Sequence, residues 1–533
     1  MRAERKIIMK NIIEQLEQIK TYKSADTINH ENFPAWSMSD SSRLEQLALT
    51  GTLGSSFYAS ASEVTADALD LLERADAADL SRAIIRGRNE GFIRTFPLLG
   101  LVILSQKSPD LFQQAFPKVV LTGNDLEDFI DMTRRIRGLG RSVKRAIHTY
   151  LQESVTPYYA MKYRKQLADA IRVSRFAGDD PIYAYILSAY SQVKNLDKAK
   201  IAEVYTQYPE FSARKEFLEL LEDGKTAQAA EVLLKNRLDV ESLSACYHKF
   251  DRKIWEAVAQ VTPIMRFLKY LAKFNREGVD TRSIAVKKLS IDALKAAKVF
   301  PFRLYTAYKA LPADFFRPEN DAMLNALAEN NLCEKTQLPS VSVLLKELLD
   351  DYALSYDWQQ FNSYKWVIAP DISGSMSSCL GNGNLTFADV SGMFTGFFSR
   401  GLDNVTILPW DVKVHDYKIS ACAPVMQHIE AIRKMAYGAT YMEAPVEHMI
   451  KHRIMTDYAV FITDSMEYGK GWLAAWKQYR QINPSAQAFL LRLDSYRTQP
   501  MPDEQAEKHG IHQIFGWNDS VIDYMKFVIE RRK

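Results

Sequence analysis

From about Asp40 to Tyr352, apolar residues recur at three- and four-residue intervals, separated by short polar breaks and not by strand-like alternation. Leu69, Leu71 and Leu72 carry the pattern, as do Val232–Leu234 and the set Ile264, Phe267, Leu268 and Leu271. Breaks fall at Gly123-Asn124-Asp125, Gly138-Leu139-Gly140, Gly178–Pro181 and Gly278-Val279-Asp280. So long a run of amphipathic helices cannot surround one core, so each helix pair must bury its apolar face against the next. That predicts an all-α helical-repeat array of the HEAT kind. The repeat rests on spacing alone and not on recurring residue identities.

The texture changes near Tyr364. Trp366–Pro370 reads as a buried strand followed by a turn and a helix over Phe387–Phe398; further strands are predicted at Val405–Leu408, Ala459–Thr463 and Ala488–Leu491. A closing helix is expected at Val521–Glu530. Strands alternating with helices at this interval predict an α/β doubly wound parallel sheet. Two domains are therefore expected, 1–356 and 357–533, in keeping with 533 residues against a single-core limit of roughly 250–300.

An apolar fraction of 47% and a charged fraction of 25% are those of a folded globular protein. Met1–Lys10 lacks the apolar core of a signal peptide, and no window approaches the roughly 20 apolar residues of a membrane span, so a cytoplasmic protein is expected. Cys246, Cys333, Cys379 and Cys422 have neither zinc-site nor disulfide-framework spacing and are expected to be reduced, mostly buried thiols.

Directly after the first strand, Asp371-Ile372-Ser373-Gly374-Ser375 places a carboxylate and two hydroxyls at the carboxyl end of a strand, the edge where open parallel sheets bind ligands. Alone, this is a common polar turn. Two later features change its meaning: Thr440 lies on a loop before a helix around Val446–Ile450, and Asp464 ends the strand Phe461-Ile462-Thr463. An all-oxygen set of this kind suits Mg²⁺ (or Mn²⁺) and not zinc. With so few carboxylates the ion keeps an affinity for an anionic ligand, such as an acidic residue of a partner protein. At these residues the chain resembles the von Willebrand factor A (vWA) family and its metal-ion-dependent adhesion site (MIDAS). Pro370 before the motif and Tyr441 after the threonine depart from the usual wording without removing a ligand.

The net charge of +3 is unremarked by itself, but its distribution is uneven. Thr133–Arg175 holds eleven Arg or Lys against two acids, a charge of +9, which leaves −6 on the remainder. Arg141, Lys144, Arg145 and His148 fall on one face of a helix, opposite Val143, Ile147 and Tyr150. Arg164, Lys165, Arg172 and Arg175 form a second stripe beside Tyr163, Leu167 and Ile171. Apart from Asp169, these cations lack acids at helical spacing, and such uncompensated repulsion points to a polyanionic partner. Arginine predominates, which suits bidentate contacts to phosphate.

The helical part resembles the TROVE domain of the Ro autoantigen family, in its bacterial type. The likeness is carried by Trp36, Asp40, Arg43 and Leu44; by Gly51, Gly54 and Phe57–Ser60; by Gly140-Arg141 with Lys144–Ile147; by Trp255-Glu256-Ala257 with Pro263 and Gly278; and by Phe300-Pro301-Phe302. The adhesion-type domain follows in the family's order. The resemblance implies a ring of helical repeats that binds Y-like small non-coding RNA on a basic outer surface and takes single-stranded 3′ ends of misfolded RNA into its hole. It implies RNA-binding roles for Arg141, Lys144, Arg145, Lys162, Arg164 and Lys165. Beyond Lys165 the wording diverges, so Arg172 and Arg175 rest on their stripe. A 3′ exoribonuclease is an implied partner in RNA quality control.

No nucleophile–base pair or phosphate-cradling loop stands out, so a non-catalytic ribonucleoprotein scaffold is expected. A metal-dependent protein-interaction adaptor is the alternative, and the +9 segment speaks against it because a protein platform has no need of unpaired arginines. A metal-dependent hydrolase is disfavoured, since a hydroxyl-rich site of this kind lacks a general base beside the metal.

Overall fold

A computed structural model of the protein describes residues 24–51, 53, 59–190, 197–311, 340–380, 384–469, 471–518 and 520–532. The N-terminal stretch up to Lys10, Gly54, Phe57, Tyr58 and Cys333, all used above, lie outside the described residues. By packing, the chain divides into two units. One comprises 80–85 and 97–348; the other combines the described residues up to Asp79, Arg86–Phe96 and everything from Leu349 onward. Residues that local periodicity assigned to the helical domain thus pack with the C-terminal sheet.

The described regular elements of the first unit are all helical, and helices near one another in sequence pack together. The helices that concern the site are α1 (Gly123–Ile136), α2 (Arg141–Glu153), α3 (Pro157–Lys162), α4 (Arg164–Ser174) and α5 (Pro181–Leu187). Their starts are written in the sequence. Thr122 and Asp125 form a reciprocal capping box at α1, and Thr156 and Asp180 cap α3 and α5 immediately before a first-turn proline. Each helix buries one stripe: Val143, Ala146, Ile147, Tyr150 and Leu151 on α2, and Leu167, Ala168 and Ile171 on α4.

The second unit contains a five-stranded parallel sheet of β1 (Trp366–Pro370), β2 (Val405–Ile407), β3 (Tyr458–Thr463), β4 (Gln487–Arg492) and β5 (Ile511–Phe515). Their order is β2-β1-β3-β4-β5, so the direction of winding reverses between β1 and β3. Ligand sites of doubly wound sheets lie at the carboxyl ends of the strands at this reversal. β1 and β3 are buried at every residue, which is why they read as unbroken apolar runs. β5 went unrecognised in the sequence: Ile-His-Gln-Ile-Phe is a short edge strand whose polar residues are half-buried.

Helix α6 (Phe387–Gly401) is buried on almost every face and packs on α7 (Val425–Met435). Gly392 and Gly396 permit that approach, because an added Cβ would lie 2.6 Å from the Ile429 Cα and 3.0 Å from the Val425 Cα. The N-terminal residues seal the carboxyl edge of the sheet. The strand Pro34–Ser37 pairs antiparallel with Thr498–Gln499, and the Gln46 amide donates to the Asp494 carboxylate at 3.0 Å and to the Tyr496 carbonyl at 3.0 Å.

Among the described residues, no helix is long and apolar enough to cross a membrane. Cys246, Cys379 and Cys422 are free thiols. Contrary to the expected burial, Cys379 and Cys422 are exposed and Cys246 is only partly covered, since all three sit in loops or a short 3₁₀ segment and not on core stripes.

Candidate metal centre and nucleic-acid interface

The five residues that the sequence nominates as metal ligands lie on the loops at the reversal point of the sheet. Asp371 directly follows β1 and Asp464 directly follows β3; these are hydrogen-bonded parallel neighbours, with Pro370 opposite Ile462. Both carboxylates are fully buried, and Ser373, Ser375 and Thr440 are nearly so. Asp371 is held by two donors, the Ser373 amide at 2.7 Å and the Thr463 hydroxyl at 2.5 Å. The Ser373 and Ser375 hydroxyls lie 3.2 Å apart. The loop bearing Thr440 is drawn in by the Gly374 amide, which donates to the Gly438 carbonyl at 2.8 Å.

Burial pushes the Asp464 carboxyl well above the usual carboxylate range, and the neighbouring Asp371 charge pushes it further. Asp371 is raised too, by burial and by Asp411, against the lowering effect of its Thr463 and Ser373 hydrogen bonds. Asp464 Oδ2 is buried without a hydrogen-bond partner among the described residues, as is the Ser465 hydroxyl. Ser465 also takes a left-handed φ of 61°, an unfavourable conformation for a residue with a Cβ and one that recurs where structure is held for function. Two mutually repelling buried carboxylates, an orphaned carboxylate oxygen and three hydroxyls fit a hard divalent cation, which would neutralise the charge and occupy the orphaned acceptor.

Three carboxylates near this centre were not nominated from the sequence. Asp411 lies just beyond β2, its carboxylate against Gly438; Glu443 and Glu467 are buried nearby, one on each of the loops that carry Thr440 and Asp464. Burial and then the Glu443 charge push Glu467 up to about 8. A carboxylate just beyond a predicted strand was the available signal for Asp411, as it was for Asp371.

The basic residues are divided by the structure. Arg141, Arg145, Lys165, Arg172 and Arg175 are exposed, and Lys144 is partly so. Helices α2 and α4 are neighbours: the His148 ring on α2 lies 3.1 Å from the Ser174 carbonyl and packs edge-on to Phe176, so this histidine is structural. Arg172 lies 3.8 Å from Asp169, a loose pair in which its side chain stays 55% exposed, and Arg175 ends α4 in a left-handed conformation.

Lys162 and Arg164, expected on the surface stripe, are instead turned into the protein. Lys162 is 15% exposed, 2.8 Å from Glu241, with Tyr158 and Tyr163 against its ammonium group. The Arg164 guanidinium stacks on Tyr185, 4.2 Å from the ring centroid, and donates to the Tyr185 carbonyl at 3.0 Å. Acceptors on later helices capture both cations, which helical spacing alone does not reveal. Arg134 and Arg135, counted in the +9 segment but not assigned a role, are exposed at the end of α1.

Comparison with known proteins adds three findings. Residues 365–524 match the family described as the Ro60 vWA domain. The chain is 23% identical over 458 residues to the RNA-binding protein RO60 of Deinococcus radiodurans, a match spanning 81% of each protein. Its fold resembles the crystal structure of the Deinococcus radiodurans RO (RSR) protein, with a TM-score of 0.59 at 19% identity, covering 91% of this chain and 98% of that one.

Proposed function

We propose that this chain is a member of the Ro family, with a C-terminal domain similar to the Ro60 vWA domain, and that it is a non-catalytic RNA-binding scaffold. The observation that carries the proposal is the set of exposed cations Arg141, Arg145, Lys165, Arg172 and Arg175 on adjacent helices. Lys144, Arg134 and Arg135 extend this surface, while Lys162 and Arg164 are held by Glu241 and Tyr185. Arginine forks on rigid helices suit phosphates. In this reading the ligands are Y-like small non-coding RNA and the single-stranded 3′ ends of misfolded or decaying RNA. The protein would then act in RNA quality control beside a 3′ exoribonuclease.

Asp371, Ser373, Ser375, Thr440 and Asp464 would hold Mg²⁺ or Mn²⁺, and the bound ion would supply a positive centre for an acidic residue of a protein ligand. A second reading, the metal-dependent adaptor, is favoured by Tyr437. It is 85% exposed although its backbone amide is pinned to the Ile372 carbonyl at 2.8 Å, between the two metal loops. Exposed tyrosines are frequent anchors of protein interfaces.

The two readings separate in a salt titration of a labelled RNA hairpin with a single-stranded 3′ tail. The scaffold predicts a log–log slope of about −0.7 per phosphate contact on the single strand. Affinity that hardly changes between low and physiological salt would leave the adaptor.

A further inference from the structure

We propose that Asp411 is a positioning residue of the cation site, aligning its two loops and setting its affinity for a divalent cation through its negative charge. The inference rests on the metal reading above. Asp411 lies where the backbone beyond β2 is laced to the first metal loop. The Trp410 amide donates to the Pro370 carbonyl at 3.1 Å, and the Ile372 amide donates to the Trp410 carbonyl at 2.8 Å. Its own carbonyl accepts from the amide of Tyr441, the residue after Thr440, at 3.0 Å. Two consecutive residues thus touch the loops that carry the hydroxyl donors, Trp410 the first and Asp411 the second.

The two carboxylate oxygens of Asp411 have different surroundings. Oδ1 is held by the Lys413 amide at 3.2 Å and by the His415 ring at 2.7 Å. Oδ2 rests against Gly438, where an added Cβ would be 2.6 Å away and where φ is +127°, so glycine is needed on both counts. The carboxylate is therefore oriented from one side and pressed against the second metal loop on the other. It is 6% exposed, so a charge there is poorly screened from the aspartates of the cation site. A buried charge that destabilises the metal-free site is repaid when a cation is bound, as with other outer-sphere carboxylates that orient ligands and tune the ion.

The competing account is that Asp411 is only a loop brace. Asparagine distinguishes the two, because it keeps the shape and the acceptor for the Lys413 amide but removes the charge. The experiment is a Mg²⁺ titration of the full-length, chelator-treated protein, read by thermal unfolding and by calorimetry. The wild type is compared with Asp411→Asn and Asp411→Glu, with Asp464→Ala as the control that lacks a ligand. The expected result is a Mg²⁺ midpoint about 10–100-fold higher in Asp411→Asn, no loss of stability without metal, and substantial recovery in Asp411→Glu. A wild-type midpoint in Asp411→Asn, with a Mg²⁺ response in the wild type and none in Asp464→Ala, overturns this proposal and leaves the metal site standing. A wild type that ignores Mg²⁺ overturns both. If Asp411→Asn does not fold, Asp411→Ser removes the charge in a smaller volume; should that variant also fail to fold at saturating Mg²⁺, Asp411 is a folding residue and the proposal is wrong.

Discussion

Arg164 and Arg145 look equivalent in the sequence, yet the structure predicts opposite consequences for their removal. Arg164→Ala forfeits a charge-assisted hydrogen bond to the Tyr185 carbonyl and the stacking of the guanidinium on that ring. The bond is worth roughly 1.5–3 kcal/mol and the stacking roughly 0.5–1 kcal/mol; allowing for partial solvent screening, a loss of about 2 kcal/mol is expected. Its RNA affinity should stay close to wild type. Arg145→Ala deletes an exposed side chain from α2, so stability should move by less than about 0.5 kcal/mol. Loss of one charge-assisted phosphate contact, roughly 1.5 kcal/mol or more, should weaken RNA about tenfold and make the salt slope shallower by about 0.7 on a single strand. Urea unfolding and fluorescence anisotropy on both variants supply the comparison. A stable Arg164→Ala protein that loses RNA, or an Arg145→Ala protein that loses stability and keeps RNA, would refute this division of labour.

Two further outcomes concern the metal domain. Asp371→Ala removes a ligand together with the carboxylate repulsion, so the variant should fold, lose the Mg²⁺-dependent rise in melting temperature expected of the wild type, and still bind RNA; a retained Mg²⁺ response would show that the cation sits elsewhere. In chelator, stability should rise as pH falls from about 8 to 6.5, because Asp371, Asp464 and Glu467 have folded-state pKa values raised above their unfolded ones, so the native state binds more protons and loses stability as pH increases. The window closes near the ordinary histidine pKa of about 6.5, since His428 and His512 are held down at about 4 by burial and oppose the trend below it. Saturating Mg²⁺ should flatten the pH slope, and an unchanged slope would count against the two aspartates as its source.

The motif at the sheet edge was legible because its parts are local. β1 and β3 are continuous buried runs, and each is followed directly by one of the two buried aspartates that the sequence nominates. The helical region was legible for the same reason, as the buried stripes of α2 and α4 contain the residues whose spacing predicted them. What sequence pattern missed depends on contacts between distant residues. Arg164 turns inward because Tyr185 and Ser188 wait on the next helix. Asp411 gains its place from Gly438 and Tyr441, and Asn29 reaches the Glu467 carbonyl at 2.6 Å across most of the chain. No periodicity encodes such pairings. β5 escaped for a different reason: an edge strand needs only half of its residues covered, so its pattern is weak over five residues.

Whether RNA lies across α2 and α4 is decided by ultraviolet cross-linking of the purified protein to a bound RNA hairpin with a single-stranded tail, followed by mass-spectrometric mapping of the modified peptides. Cross-linked peptides are expected within residues 134–175, diminished in the Arg141→Ala/Arg145→Ala protein. Cross-links confined to other helices, or a pattern indifferent to that double substitution, would contradict that placement.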